Sequence, residues 1–311
     1  MIFIRNKRVY SVREFESRIG KMIAVLTGGS HSERKVSLFS AKTITDSLAR
    51  LGLPFAQIDV ADTNWLEQTK ELKPEVCVIA IHGTYGEDGQ LQGVLEESNL
   101  RFTGSSSSVS QLAFDKRVAK EAVREFGITT PREYTPADVD LPVIVKPARE
   151  GSSIGITLVD ETSKLTEAIN LAKKYDPEVI IEEYISGKEL SCAVTDIFGR
   201  TQAWPIIEIR PKSNFFDYDS KYTVGRAEEL CPAPINETLA KIIHQQSKEI
   251  FTKLGIGQYC RIDWMLKDDV PYFIEINTIP GMTSTSLINK EIAARGVKFD
   301  NFIQRLVETA R

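Results

Sequence analysis

Arg261-Ile262-Asp263 and Glu275-Ile276-Asn277 each lie on an apolar run with strand character, and Thr278-Ile279-Pro280-Gly281-Met282-Thr283-Ser284 follows the second directly. On an extended strand alternate side chains share a face, so Arg261 joins Asp263 on one surface and Glu275 joins Asn277. That surface carries hard oxygen donors beside a fixed cation. Carboxylate and amide oxygens suit Mg²⁺, which commonly completes its octahedron with phosphate and water. The arrangement points to chemistry on a nucleoside triphosphate. The same residues also fit the solvated faces of an antiparallel hairpin, where opposed charges are ordinary. What favours a site is the hydroxyl-rich Pro-Gly turn beyond the acidic strand, because loops past strand ends commonly hold ligands.

Other candidates are weaker singly. Gly151 to Gly155 is a glycine and serine loop without the trailing Lys-Ser/Thr of a P-loop, and no segment matches that motif. Such a loop can still cradle phosphates through backbone N–H groups, or serve only as a turn. Lys146 ends the apolar strand before it; an ammonium buried there is costly unless an anion pairs with it, while a strand-end lysine can also reach water. Glu182 and Glu189 flank Tyr184-Ile185, a mixture that suits a base and ribose pocket or an edge strand with surface carboxylates. His82 opens the run His82-Gly83-Thr84-Tyr85-Gly86-Glu87-Asp88-Gly89, whose glycines permit a tight loop. A lone histidine is usually structural, and Glu87-Asp88 could simply begin the following helix.

Two domains suit 311 residues, with 42% hydrophobic residues enough for a sizeable core. Lys plus Arg number 39 against 43 Asp plus Glu, a net charge of −4, so nothing in the balance recruits nucleic acid or an anionic membrane. Cys77, Cys192, Cys231 and Cys260 are dispersed without a paired motif, which argues against a zinc site or a disulfide framework and for a cytoplasmic setting. No run approaches a transmembrane helix. Residues 1–21 are basic without a continuous apolar core; they read as a real extension with a basic helix or as the product of an upstream start, the second being favoured, with Met22 the true beginning.

From Met22 the pattern alternates: strands at Met22 to Leu26, Phe55 to Val60 and Val76 to Ile81, with an amphipathic helix from Lys35 to Leu51. Alternation of this kind predicts a doubly wound parallel sheet over residues 22–112. Ligands on such sheets sit beyond the strands' carboxyl ends, where Gly28-Gly29-Ser30 and the His82 run fall. A helix follows from Asp115 to Phe126. Strands at Val143 to Lys146 and Ile156 to Val159 flank the glycine and serine loop as a mobile hairpin able to act as a lid. Further on come a helix at Thr162 to Lys174, strands at Val179 to Tyr184, Leu190 to Ile197 and Gln202 to Ile209, and a polar, aromatic loop from Pro211 to Arg226. A helix from Glu237 to Leu254, the two acidic strands and two closing helices end the chain.

The order of these signals carries a resemblance. Gly28-Gly29-Ser30 with Glu33-Arg34 and Val36-Ser37-Leu38, the His82 to Gly89 run, Val145 to Gly155, Lys221-Tyr222, the two acidic triplets and Pro280 to Leu287 together resemble the D-alanine–D-alanine ligases, a family of ATP-grasp enzymes. The match runs from Met22 to the C-terminus. It implies an α/β protein: the N-terminal doubly wound domain, then an ATP-grasp fold of two subdomains, 113–183 and 184–311, with ATP between them and a mobile loop at about 211–227.

The resemblance also implies an activity and its residues. ATP phosphorylates one D-alanine, and the amine of a second attacks the acyl phosphate to give the dipeptide for peptidoglycan. Asp263, Glu275 and Asn277 would hold two Mg²⁺ ions, for which Mn²⁺ can substitute, and Arg261 with the Gly281 N–H would stabilise developing charge. Lys116, Lys146, Ser152, Ser153 and Lys221 are assigned to the phosphates, Glu182, Glu183, Tyr184, Ile185 and Glu189 to base and ribose, and Phe215 to covering the nucleotide. Glu183 stands where some relatives have lysine. Glu33, Val36 and His82 would line the first D-alanine subsite; Ser286, Leu287 and Lys221 the second. Ser152, Tyr222 and Glu33 would form a hydrogen-bonded triad joining lid to loop. A cytoplasmic homodimer is implied. Lys221-Tyr222 favours an amine over the hydroxyl of D-lactate, which leaves a D-alanine–D-lactate ligase as the near alternative and a non-catalytic nucleotide-binding module as the remote one.

Overall fold

A computed structural model describes residues 3–5, 8–10, 22–31, 33–211 and 227–311. Phe215, Lys221 and Tyr222 lie outside the described residues. Strands β1 (Phe3–Arg5) and β2 (Arg8–Tyr10) pair antiparallel, and the rest of the leading segment, 11–21, lies outside the described residues.

Strand β3 (Ile23–Thr27) leads into helix α1 (Arg34–Leu51), β4 (Phe55–Asp59), α2 (Trp65–Leu72), β5 (Val76–Ile79) and α3 (Gln90–Glu97). The three strands form a parallel sheet in the order β4-β3-β5. Both faces are covered, which is why β3 is apolar throughout. Ile23 and Val25 pack with Ala41, Ile44 and Leu48 of α1, whereas Ala24 and Leu26 pack with Trp65, Leu91 and Leu95. Helix α1 stops at Gly52, whose φ of +69° places it in the left-handed cap conformation, and its N–H bonds the Ala49 carbonyl.

Helix α4 (Ser107–Phe114) runs through the expected domain boundary at 112/113 and is capped by Ser106, which accepts from the Val109 N–H. Asp115 then caps α5 (Lys116–Arg124), accepting from the Arg117 and Val118 N–H groups. Strands β6 (Val143–Pro147) and β7 (Thr157–Val159) form the expected hairpin. Beyond helix α6 (Thr162–Ala172), β8 (Val179–Glu183) completes an antiparallel sheet in the order β7-β6-β8.

The last sheet gathers β9 (Lys188–Thr195), β10 (Gln202–Ala203), β11 (Ile207–Pro211), β12 (Ala227–Leu230), β13 (Tyr259–Lys267) and β14 (Val270–Asn277). The strand expected over Gln202 to Ile209 is two strands. Pro205 has no N–H to continue a ladder, and Trp204 is buried against Phe198 and Phe302. Between β13 and β14, Asp268 and Asp269 have φ of 50° and 62°, the backbone of a two-residue hairpin turn that fixes the register. Cys260, Ile262, Trp264 and Leu266 face helix α7 (Glu237–Lys253) and pack with its Ile243, Ile250 and Phe251. Arg261 and Asp263 are thereby left on the opposite face.

Helices α8 (Leu287–Ala294) and α9 (Phe299–Glu308) return to the first sheet. Phe302, Ile303 and Leu306 share a core with Ile44 and Leu48, and Asp300 accepts from Ser47 at 2.7 Å and pairs with Arg50 at 2.6 Å. Among the described residues no helix is long and apolar enough to cross a membrane.

Candidate active site

Across the β13–β14 ladder Arg261 opposes Asn277 and Asp263 opposes Glu275, so the four side chains read from the sequence as one surface do share it. Asp263 is gripped on every side. Arg261 donates to both of its oxygens, at 2.9 Å from Nε and 2.8 Å from Nη2, while the Asn277 amide donates at 3.0 Å and Ser191 on β9 at 2.8 Å. Burial acts against the Arg261 charge, but Asp263 beside it outweighs that and holds the guanidinium's pKa far above its ordinary value. Across the surface Lys116, at the start of α5, approaches Glu275 to 3.3 Å and donates to the Glu150 carbonyl at 2.5 Å. It therefore links the acidic strand to the glycine and serine loop.

These groups line a cavity of about 260 Å³ where the sheets and α8 converge. Glu33 enters it from the start of α1 and is 5% exposed. Its carboxylate fits between two loops because both are glycine there: a Cβ on Gly83 would stand 2.5 Å from Glu33 Oε2, and one on Gly151 3.2 Å. Behind it Arg34 bonds Asp59 at 2.6 Å and the Gly29 carbonyl at 2.7 Å, which explains the pairing of the two glycines with Glu33-Arg34 in the sequence. The Arg34 hydrogen bond holds the Asp59 carboxyl below its usual range.

On the far wall Gly281, Val36 and Ser286 converge, a Cβ on Gly281 meeting Ser286 Oγ at 3.2 Å and Val36 Cγ1 at 3.8 Å. Ser286 precedes α8, and its Oγ accepts from the Thr283 N–H at 2.9 Å, so Leu287 begins the helix facing the cavity. Free N–H groups at that helix start suit a carboxylate. Ser152, which with Ser153 takes a left-handed backbone at φ of 52° and 58°, and Glu189 on β9 also line the space. His82 reaches the wall, yet both of its ring nitrogens are spent on protein partners.

The remaining expected nucleotide residues are placed differently. Among the described residues, Lys146, Ser153, Glu182, Glu183, Tyr184 and Ile185 do not line this cavity. Glu182 is 3% exposed and both its oxygens are taken, one by Lys146 at 2.5 Å and the other by Lys120. Two lysine side chains thus share one carboxylate in a dry setting, where a charge is costly unless it is paired. Burial pushes Lys120 down to about 7, with the Lys146 charge adding to it and Glu182 opposing; Lys146, equally buried, stays raised because Glu182 holds its proton.

Sequence reasoning passed over Lys120 and Ser191. Both left a signal: Lys120 lies four residues after Lys116 on the buried face shared with Ala119 and Val123, and Ser191 alternates onto the polar face of β9 directly opposite Asp263. Glu87, read as a helix start, is instead buried and accepts from the Gly83 N–H at 2.9 Å.

The donor set fits a divalent cation of the Mg²⁺ class. Asp263 and Glu275, opposite each other on the ladder, supply carboxylate oxygens and Asn277 an amide oxygen, the donor types that such a cation takes together with phosphate and water. The cations that now answer the carboxylates, Arg261 and Lys116, show how much negative charge the surface holds.

A family model described as "D-ala D-ala ligase C-terminus" matches residues 120–308. The chain is 40% identical over 298 residues to the D-alanine--D-alanine ligase of Syntrophotalea carbinolica, covering 93% of this chain and 96% of that protein. Among solved structures it is similar to the D-alanine--D-Alanine ligase of Bacillus anthracis, with a TM-score of 0.81, 32% identity and coverage of 93% and 97%. The same enzyme complexed with ATP gives a TM-score of 0.78 at 28% identity, covering 93% and 96%. The VanG D-Ala:D-Ser ligase of Enterococcus faecalis gives 0.80 at 30%, covering 93% and 99%.

Proposed function

The chain belongs to the D-alanine–D-alanine ligase family, with its ATP-grasp fold, and from that premise we propose that it joins two D-alanines through a D-alanyl phosphate at the expense of ATP. One observation carries the reading: the Arg261–Asp263–Asn277 surface with Glu275 and Lys116 opens onto the same cavity as Glu33, Gly281 and Ser286. Phosphate-handling and amino-acid-handling groups meet in a single space.

Glu33 takes the ammonium of the first D-alanine, with Val36 and His82 lining that subsite. Ser286 and the Leu287 N–H take the carboxylate of the second, with Lys221 assisting. Arg261 and the Gly281 N–H offset negative charge that grows on the carbonyl oxygen during attack. Lys116, Lys146, Ser152, Ser153 and Lys221 screen the phosphates. Glu182, Glu183, Tyr184, Ile185, Glu189 and Phe215 bound the base and ribose, which requires Glu182 to exchange part of its present pairing with Lys120 and Lys146. Asp263, Glu275 and Asn277 would hold two Mg²⁺ or Mn²⁺ ions, whose charge would offset the repulsion between carboxylate and triphosphate. Ser152, Tyr222 and Glu33 tie the glycine and serine lid over the first substrate and exclude water from a hydrolysable acyl phosphate.

The same proposal divides the chain at 22–112, 113–183 and 184–311 after the 1–21 extension. It also makes the protein a cytoplasmic homodimer, which light scattering checks by returning twice the chain mass. The activity itself is tested with ATP, Mg²⁺ and D-alanine: phosphate and D-alanyl-D-alanine appear together in equal amounts. Turnover of L-alanine in place of D-alanine would sink the reading. Because one structural relative is a D-Ala:D-Ser ligase, D-serine and D-lactate belong in the same competition, read by product mass.

A further inference from the structure

His82 and Glu87 come from one loop and Ser40 from α1, yet all three act on a single short turn, Ile279 to Met282. The Met282 N–H donates to Ser40 Oγ at 3.0 Å, and Ser40 Oγ lies 2.8 Å from His82 Nε2. His82 Nδ1 lies 2.7 Å from the Ile279 carbonyl. A carbonyl only accepts, so Nδ1 carries the proton, Nε2 accepts, and the Ser40 hydroxyl donates to it. Every proton in the chain has one place. Glu87 meets the other side of Ile279, whose N–H faces its carboxyl, as does the Gly83 N–H. The turn is thus held at its entrance and exit, and Gly281 sits between those points. His82 is 5% exposed, Glu87 8%, and Ser40 is fully buried, so the grip is set in packed protein.

We infer that Ser40, His82 and Glu87 are positioning residues that fix the turn and aim the Gly281 N–H at the carbonyl oxygen of the acyl phosphate. The inference rests on the ligase reading. In that step the second D-alanine's nitrogen forms a C–N bond, the carbonyl pair moves onto oxygen and returns, and the C–O bond to phosphate breaks. The phosphate leaves with the bonding pair and takes up the proton from nitrogen. Only the oxygen's transient charge needs the turn, so capture of the acyl phosphate depends on the clamp more than its formation does. Protonation fits this network. Burial pushes His82 down to about 4, with the Ile279 contact opposing and Arg261's charge adding to it, so its imidazole stays neutral. Glu87 is pushed up to about 8 by burial and by the Glu33 charge, the facing N–H groups and Arg261 opposing, so it adds no second anion beside Glu33 near neutrality.

The experiment compares phosphate released with dipeptide formed at saturating ATP, Mg²⁺ and D-alanine. Wild type should give a ratio of about one; a wild type without dipeptide overturns the ligase reading itself. Ser40→Ala should lose about tenfold in dipeptide formation, on the order of 1.4 kcal/mol in barrier. Its phosphate release should fall less, so that the ratio rises above about two and hydroxylamine traps D-alanine hydroxamate. Ser40→Thr keeps the hydroxyl and should restore a ratio near one. His82→Asn keeps a donor near the Nδ1 position and should stay better coupled than His82→Leu. With an active wild type, a ratio of one in both Ser40→Ala and His82→Leu, whether or not their rates fall, overturns the clamp. So does uncoupling in Ser40→Thr equal to that of Ser40→Ala.

Discussion

Asp263 illustrates how much a single residue's type leaves open. Its carboxylate was legible as an oxygen donor from its place on an alternating strand, but its three present partners come from three strands, and only Arg261 and Asn277 belonged to the pattern read. Glu291 left no signal at all. It lies on α8, fully buried, with one oxygen accepting from the Ala193 N–H at 2.7 Å and the other without a partner among the described residues. Burial pushes it up to about 8 from 4.5, the Ala193 N–H and Arg261 opposing and Asp263 adding. Between those values the folded chain holds a proton that the unfolded chain has lost, so stability falls as pH rises from about 4.5 to 8. Glu291→Gln should therefore be more stable than wild type at pH 8.5 by about 1–3 kcal/mol, and within about 1 kcal/mol at pH 5. Urea melts at the two pH values measure this, and an equal shift at both would show that Glu291 does not hold that proton.

Among elements, legibility followed burial. Strands with two covered faces, such as β3 and β5, and the long helices α1 and α7 were clear because their apolar periods run unbroken. Helices α2 and α4, at eight residues each, were missed: two turns are too short for a period to declare itself. The break between β10 and β11 was missed because its apolar run continues through Trp204 and Pro205, and only the ladder shows where pairing stops. Close approach of elements is equally silent in a sequence. Gly187, just before β9, has no room for a side chain, since a Cβ would stand 2.2 Å from the Leu266 carbonyl on β13. That contact is backbone and cannot swing aside. Gly187→Ala should cost about 2–4 kcal/mol by prising β9 from β13. Denaturant midpoints would reveal it, and an unchanged midpoint would mean that the strands yield freely.

For the molecule as a whole, the site is a junction. Its cavity lies where α1 and the His82 loop meet the acidic hairpin, the glycine and serine loop and α8. Ligands that bridge these parts should stiffen all of them. ADP at about 100 times its Kd, with Mg²⁺, should stabilise the folded chain by about 2.7 kcal/mol, roughly 5–10 °C in melting temperature. EDTA should remove most of that shift, and Glu275→Ala should show little of it with Mg²⁺ present. A full shift in Glu275→Ala would refute Glu275 as a metal ligand.

The sequence by itself determined the chemistry on offer and its local arrangement. Strand alternation put Arg261, Asp263, Glu275 and Asn277 on one surface, and the order of motifs disclosed the family. Both depend on neighbours along the chain, where period and spacing are fixed by backbone geometry. Tertiary structure alone decided the partners. Glu182 is taken by Lys120, 62 residues away, and by Lys146, while His82 reaches Ile279 across 197 residues. Such pairs are chosen by which sheets and helices pack together, and by the cost of burying a charge or a polar atom without an answer. No period along the chain records that choice.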